Sequence, residues 1–447
     1  MKVGKINSKF VSTDIRLSAG YFLNDDAVNS RIIEKNYANC KELGEMATVW
    51  NPPIFKRQFC ENTERAVPYC QSSDVTNAIE GSEVFINKAQ AYKVGSVVED
   101  KQILVTGFGT IGNTRLVNEL SHGSSFANNV CRIKVKDEVL YGFIYAFMTS
   151  KYGKSQLNKN ASGSVVRYIE APGIKKTLIP ILPEETQQKI HNLIVESAQL
   201  RVEANKLLKE AVEIFDEFKI EYSAGSYVFN KVKIQKISSN KKRFDANYNV
   251  ISELVDEKLK DFKYVTVRSQ ASKIFIGPRS KRNYVASGVP FLSTSEMQKA
   301  NPTKTEKFVN HKTAKDFEIR EGWLLTTRSG TLGDTVYALP CIDKYSVSED
   351  AIRIVLNKNS EISNKYLFAF LKSNIGKNSL LSGSYGSVIL HLNEDYVGDI
   401  KVPVFKEKFE KIEKKVSNYI EFFNKAIVNE NQAIDLIEKE IDQWQQL

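Results

Sequence analysis

Metal chemistry has little to build on in this chain. Its four histidines, His122, His191, His311 and His391, stand far apart and without ligand spacing. The five cysteines, Cys40, Cys60, Cys70, Cys131 and Cys341, are odd in number and include no C-x-x-C pair. Neither a disulfide framework nor a zinc site is therefore signalled, and the thiols read as buried or idle. No apolar run approaches the roughly 18 residues of a membrane span, and Met1-Lys2-Val3-Gly4-Lys5 lacks the apolar segment of a signal peptide. Together these absences predict a cytoplasmic protein that crosses no membrane and holds no metal.

Proline and glycine are also missing over one long stretch, residues 184–222, which follows Pro180-Ile181-Leu182-Pro183. The spacing predicts a single helix there. Ile190, Ser197, Ala204, Ala211 and Phe218 recur every seven residues, and Leu193, Leu200, Leu207 and Ile214 recur three positions later, the pattern of an a/d seam. Ile194, Leu208 and Phe215 widen the seam into a stripe. A rod of this length needs a partner, and residues 406–447 supply one. Phe409, Val416, Phe423, Ile437 and Trp444 keep the seven-residue spacing, with Ile412, Tyr419, Ala426 and Ala433 in the second seam position. The expected pairing residues are Ile190, Leu193, Leu200, Leu207 and Ile214 on one rod and Ile412, Val416, Tyr419, Phe423 and Ile437 on the other.

With 447 residues, 42% of them hydrophobic, the chain has enough apolar material for two or three cores. Its net charge of +10 is unevenly placed. The first rod carries nine acids against five bases and the second nine against seven, which leaves an excess of about sixteen positive charges on the remainder. A basic excess lying off the rods suits a polyanionic partner.

The chain also repeats itself, with an offset of about 222 residues. Arg16-Leu17-Ser18-Ala19-Gly20-Tyr21 returns as Arg243-Phe244-Asp245-Ala246-Asn247-Tyr248, and Val67-Pro68-Tyr69 with Ser72-Ser73-Asp74 returns as Val289-Pro290-Phe291 with Thr294-Ser295-Glu296. The run from Leu104 to Thr114 returns from Leu325 to Thr335. Ala146-Phe147 matches Ala369-Phe370, Gly163-Ser164-Val165 matches Gly386-Ser387-Val388, and Pro180 matches Pro403. Each copy is thus a globular domain followed by a rod. Short strands are expected at 83–86, 102–106 and 131–135 and at their counterparts near Trp323 and Ile352. Local helices are expected at 141–151 and 365–372, and a hinge at 223–231. The fold class is α+β. The predicted division is 1–183 and 223–405 for the domains, with 184–222 and 406–447 for two long antiparallel coiled-coil helices, in pseudo-twofold arrangement.

Two motifs invite an enzymatic reading. Gly107-Phe108-Gly109-Thr110-Ile111-Gly112 satisfies G-x-G-x-x-G after a strand, but the second copy has Arg328 at the first glycine and no helical pattern follows in either copy. A tight turn between strands is the better reading. Asn51-Pro52-Pro53-Ile54 is similar to the Asn-Pro-Pro-aromatic motif of amino-methyltransferases, yet lacks the aromatic residue, and the second copy reads Ile276-Gly277-Pro278-Arg279. No catalytic constellation occurs in both copies. What both share is turn glycine, hydroxyl residues and scattered Arg and Lys, a chemistry of binding.

The doubled plan, the run Leu325-Thr326-Thr327-Arg328-Ser329-Gly330-Thr331-Leu332-Gly333, the segment Val289-Pro290-Phe291-Leu292, Gly386-Ser387 and the Pro-x-x-Pro-Glu-Glu-x-Gln-x-x-Ile opening of the first rod resemble the specificity subunit of type I restriction-modification enzymes. The resemblance covers essentially the whole chain. It implies two target-recognition domains, each reading half of a bipartite double-stranded DNA site, and helices that set the half-site spacing. It implies as partners two modification subunits, which carry S-adenosylmethionine, and restriction motor subunits, while this chain itself binds no cofactor and catalyses nothing. The candidate DNA contacts are Lys56, Arg57, Gln71, Ser72, Ser73, Arg115 and Arg167 in the first copy. In the second they are Arg279, Lys281, Arg282, Ser293, Thr294, Ser295 and Arg328. Two other classes stay open: a self-contained DNA methyltransferase or nuclease, and a helical scaffold that binds protein.

Overall fold

A computed structural model describes residues 24–78, 82–162, 166–221, 243, 245–279, 282–330, 332–386 and 388–444. Residues 16–21, the segment 163–165, the expected hinge at 223–231 and Lys281 lie outside the described residues. The chain divides into two compact units, Met1–Val202 with Lys425–Leu447, and Glu203–Asn424.

In the first unit, β1 (Ala47–Trp50), β2 (Ile103–Thr106), β3 (Thr114–Leu116) and β4 (Val130–Val135) form an antiparallel sheet in the order β1-β4-β2-β3. Every residue of β2 is buried, which is why its sequence is a continuous run rather than an alternation. A smaller sheet takes Phe59–Cys60, Phe85–Asn87, Ala66–Cys70 and Ser125–Phe126 in that order. Helix α1 (Tyr141–Thr149) is buried nearly all round. Its Phe143, Ile144 and Phe147 share one core with Val49, Ile103 and Ile133 of the sheet and with Ile190, Ile194 and Ile437 of the rods. Helix α2 (Glu184–Glu213) is the first rod.

The second unit repeats the plan. β5 (Ala271–Phe275), β6 (Leu324–Thr327), β7 (Thr335–Tyr337) and β8 (Ala351–Leu356) take the order β5-β8-β6-β7. Helix α3 (Asn364–Lys372) corresponds to α1, and the second rod is α4 (Lys406–Gln443). The short strands before the rods recur too, Leu178–Pro180 pairing with Cys40–Glu42 and Lys401–Pro403 with Tyr264–Thr266.

Three expectations need correction. First, α1 ends at Thr149, not Lys151, because Ser150 caps a separate helix, Lys151–Lys159, with its hydroxyl accepting from Gly153 N at 3.3 Å. Second, α2 stops at Glu213 instead of running to Tyr222. Phe215 and Phe218 turn into an aromatic cluster with Tyr366, Phe370 and Phe405, and this burial outweighs continuing the helix.

The third correction concerns the phase of the first rod. Ile190, Ser197, Ala204 and Ala211 are buried as the spacing predicts, but Leu193, Leu200, Leu207 and Ile214 lie on a half-buried flank. The companion series sits one residue on, at Ile194, Leu208 and Phe215. Arg201 occupies the remaining position of that series, with a side chain only 12% exposed. A charged residue in the true seam makes the flanking leucines look the more regular. On α4, Ile412, Val416, Tyr419, Phe423 and Ile437 are buried in the expected places, and Glu430 fills the gap in their seven-residue series. The rods run antiparallel. In the second unit, moving seven residues forward from Glu210 to Glu217 moves the partner seven back, from Lys415 to Lys408. In the first unit Glu196 pairs with Lys425 at 2.6 Å.

Candidate nucleic-acid interface

The strand register gathers several loops at one end of the first unit's main sheet. β1 runs out at Trp50 opposite Arg132, and β2 runs out at Thr106 opposite Val130, so segments 51–58, 107–113 and 127–129 emerge together. Backbone and amide bonds tie them. Asn51 Nδ2 donates to the Asn128 carbonyl at 3.1 Å, and Gly107 N donates to the Asn129 carbonyl at 3.0 Å. Asn51 Oδ1 accepts from Ala171 N at 3.0 Å. Both ends of the Asn51 amide are thus engaged by main chain, which is a structural role and not the base-holding role that its motif invites.

The glycine-rich loop is a strand-to-strand turn in both copies. Gly109 and Gly112 have φ of 71° and 83°, and Gly330 and Gly333 have 81° and 87°. This left-handed backbone is where glycine is favoured. A Cβ at Gly107 would collide with the Ile169 carbonyl, since Ile169 N donates to the Gly107 carbonyl at 2.8 Å. Arg328 makes the same two backbone bonds, with Asp350 and Leu392. Beside each turn a pair of residues exchange backbone bonds, Ser162 with Tyr168 in one unit and Tyr385 with His391 in the other. Phe108 stacks on Tyr168 with centroids 5.5 Å apart, and the two rings are 37% and 38% exposed. In the second unit Tyr385 leans on His391 at 5.9 Å.

The candidate residues fall into three groups. Lys56, Arg57, Arg167 and Arg279 are exposed. Arg57 lies over the Tyr69 ring at 5.4 Å, with Nε donating to Tyr69 Oη, and Arg282 lies over Phe291 at 5.3 Å. These are matching places in the two copies. Arg282 differs in pairing with Glu349. Arg167 donates to the Asn158 carbonyl and shares its loop with Tyr168.

Gln71, Ser72 and Ser73 form the start of a 3-10 turn, Ser72–Thr76, in which Gln71 N donates to Asp74 Oδ2 at 2.7 Å. Arg115 lies behind that turn and is only 7% exposed. Its guanidinium donates to the carbonyls of Val75 (2.9 Å), Asp74 (3.3 Å) and Asn77. It therefore shapes the turn from inside, where a DNA contact was expected. In the second unit, Ser293, Thr294 and Ser295 open the short helix Thr294–Met297. Burial alone would raise the Glu296 carboxyl, but the Ser293 bonds and the Lys307 ammonium at 3.1 Å outweigh it and hold it below the usual carboxylate range. Arg328 is half-buried at the base of its turn.

Arg132 on β4 and Arg353 on β8, which carry no motif in the sequence, are both 0% exposed. Arg132 donates to the carbonyls of Ala127 (3.0 Å), Ser96 (2.9 Å), Phe126 (2.7 Å) and Val130. Arg353 donates to those of Ala351 (2.9 Å), Phe317 (3.3 Å), Ser348 (3.4 Å) and Val347. Burial drives both guanidinium pKa values down, to about 10. They fasten the loops that carry the candidate surface. Among the described residues there is no cluster of His, Cys, Asp and Glu able to hold a metal, and no helix long and apolar enough to cross a membrane.

Residues 37–213 match the family model described as the type I restriction modification DNA specificity domain. No curated protein sequence matches the chain. Among solved structures, the chain is similar to the S subunit of a type I restriction-modification system from M. genitalium, with 15% identity, 91% of this chain and 94% of that chain covered, and a TM-score of 0.33. It is also similar to the HsdS subunit from Thermoanaerobacter tengcongensis, with 14% identity, coverage of 91% and 95%, and a TM-score of 0.28. The likeness to the type I restriction modification DNA specificity domain is carried by residues 37–213.

Proposed function

We propose that the chain is the non-catalytic specificity subunit of a cytoplasmic type I restriction-modification system, in which each unit reads one half of a bipartite DNA target. One observation carries this reading. The family's domain occupies residues 37–213, and its strand order, turn glycines and ring-stacked arginine recur in the second unit. Two readers built on one plan suit two half-sites. The exposed Lys56, Arg57, Arg167 and Arg279 supply phosphate contacts, and Ser72, Ser73, Ser293, Thr294 and Ser295 supply groups able to reach base edges. Phe108 and Tyr168 lie beside the turn of the first unit, and Arg328 lies in the turn of the second. The rods set the half-site spacing, and their exposed faces dock two modification subunits. Those subunits carry S-adenosylmethionine and methylate the DNA, and motor subunits join them for restriction.

The test is methylation mapping of DNA from cells that express this chain with its modification subunit, against cells that express either alone. A split motif methylated only when both are present is expected. Methylation by this chain alone would make it a methyltransferase in its own right. Absence of methylation in every combination, together with DNA binding that ignores salt, would favour a protein-binding scaffold.

A further inference from the structure

The likeness of the two rods fails at one place in the seam. At an offset of 222 residues the buried positions correspond: Ile190 with Ile412, Ile194 with Val416, Ala204 with Ala426, Ala211 with Ala433 and Phe215 with Ile437. Between them the residues differ in kind. Arg201 corresponds to Phe423, Leu208 to Glu430 and Ser197 to Tyr419, and on the helices packed against the rods Tyr145 corresponds to Phe368.

In the first unit these positions form a buried polar cluster. Arg201 Nη2 lies 2.9 Å from Glu430 Oε2, and the two side chains are 12% and 4% exposed. Tyr145 Oη donates to Glu430 Oε1 at 2.6 Å, and Ser197 Oγ donates to the Ala426 carbonyl at 2.7 Å. In the second unit the same positions form an apolar cluster. Leu208 and Phe423 are buried, and Tyr419 stacks on both Phe368 (5.8 Å) and Phe423 (5.6 Å).

We propose that this asymmetry is a pairing code, by which α2 accepts α4 and rejects a second copy of itself. An antiparallel self-pair of α2 would set Arg201 against Leu208 twice, and a self-pair of α4 would set Glu430 against Phe423 twice. Each would bury two charges without counter-ions, which is strongly unfavourable, whereas a wholly apolar seam would tolerate all three pairings. A polar residue at a seam position is an effective way to specify partner and register. An α2–α4 match between two different chains also satisfies the code, so the single-chain form is favoured by the high effective concentration of rods on one chain. The inference rests on the seam and not on DNA reading, and stands or falls separately.

The test uses two full-length variants with different tags. Arg201→Glu places two carboxylates in the seam, and Glu430→Arg places two guanidiniums there. Co-expressed, the variants are expected to exchange rods and co-purify one to one, at twice the 50.6 kDa mass of the chain. If either variant alone is insoluble, recovery of both on co-expression is the same result. The double variant Arg201→Glu with Glu430→Arg in one chain should return to a monomer that melts close to the unmodified chain. Failure of the tags to co-purify would overturn the code, whether the single variants are folded monomers or stay insoluble together. So would a double variant no more stable than the singles.

Discussion

Burial decides what the arginines of the two units do. Arg57 is exposed over a tyrosine ring, Arg115 holds a turn from behind, and Arg132 and Arg353 are enclosed among carbonyls. The alternation along β4 points the wrong way, since Arg132 shares a face with the exposed Lys134, and a period-2 reading would put both in solvent. Only the arrival of segments 96 and 126–130 over that face encloses it, a contact no local pattern reveals. What a single sequence does offer is the recurrence of an arginine at the same strand position in both copies. Removing either guanidinium strands several carbonyls, each worth about 1–3 kcal/mol when unsatisfied. Arg132→Met and Arg353→Met should each therefore destabilise the unit that holds them by about 3 kcal/mol or more, read by urea unfolding. A loss below about 1 kcal/mol would mean that water takes over the bonds.

At the scale of elements, the rods and the sheet turns were legible, while the phase of α2 and the helix break after α1 were not. The break has a local signature, Ser150 and Gly153 matched by Ser373 and Gly376, with each serine capping the next helix and each glycine pressed on a carbonyl. It is easily missed inside an apolar run. The phase was hidden by Arg201. The corrected seam makes a direct forecast: Leu208→Asp should cost about 3 kcal/mol or more, whereas Leu207→Asp on the half-buried flank should cost clearly less, read as melting temperatures. Equal losses would restore the original phase.

His191 on α2 adds a pH test. Its Nδ1 accepts from Gly142 N at 3.1 Å, and burial, reinforced by Lys101, holds its pKa below the ordinary 6.5. Below pH 6.5 the unfolded chain takes up the proton before the folded one does. Stability from this site is therefore complete above that pH and declines as pH falls through the window beneath it. Melting temperature against pH between 7 and 5 should fall less steeply in His191→Gln than in the unmodified chain.

At the scale of the whole molecule, the sequence repeat reappears as one strand order in two units. The expected domains 1–183 and 223–405 each fall inside one unit, while residues 425–447 of the second rod are grouped with the first unit and residues 203–424 form the second. Each rod begins in one unit and ends in the other, because antiparallel pairing returns the end of α4 to the start of α2. Two units that share a plan but differ in surface side chains should fail independently. If the chain serves a modification subunit as proposed, Arg57→Ala with Ser73→Ala should relax the methylated motif in one half only. Losing the Arg57 charge should also lower the salt dependence of binding by about one counterion. Arg279→Ala with Ser295→Ala should relax the other half and leave the first unchanged. Methylation mapping reads both outcomes at once, and relaxation of both halves by either pair would contradict a division of reading between the units.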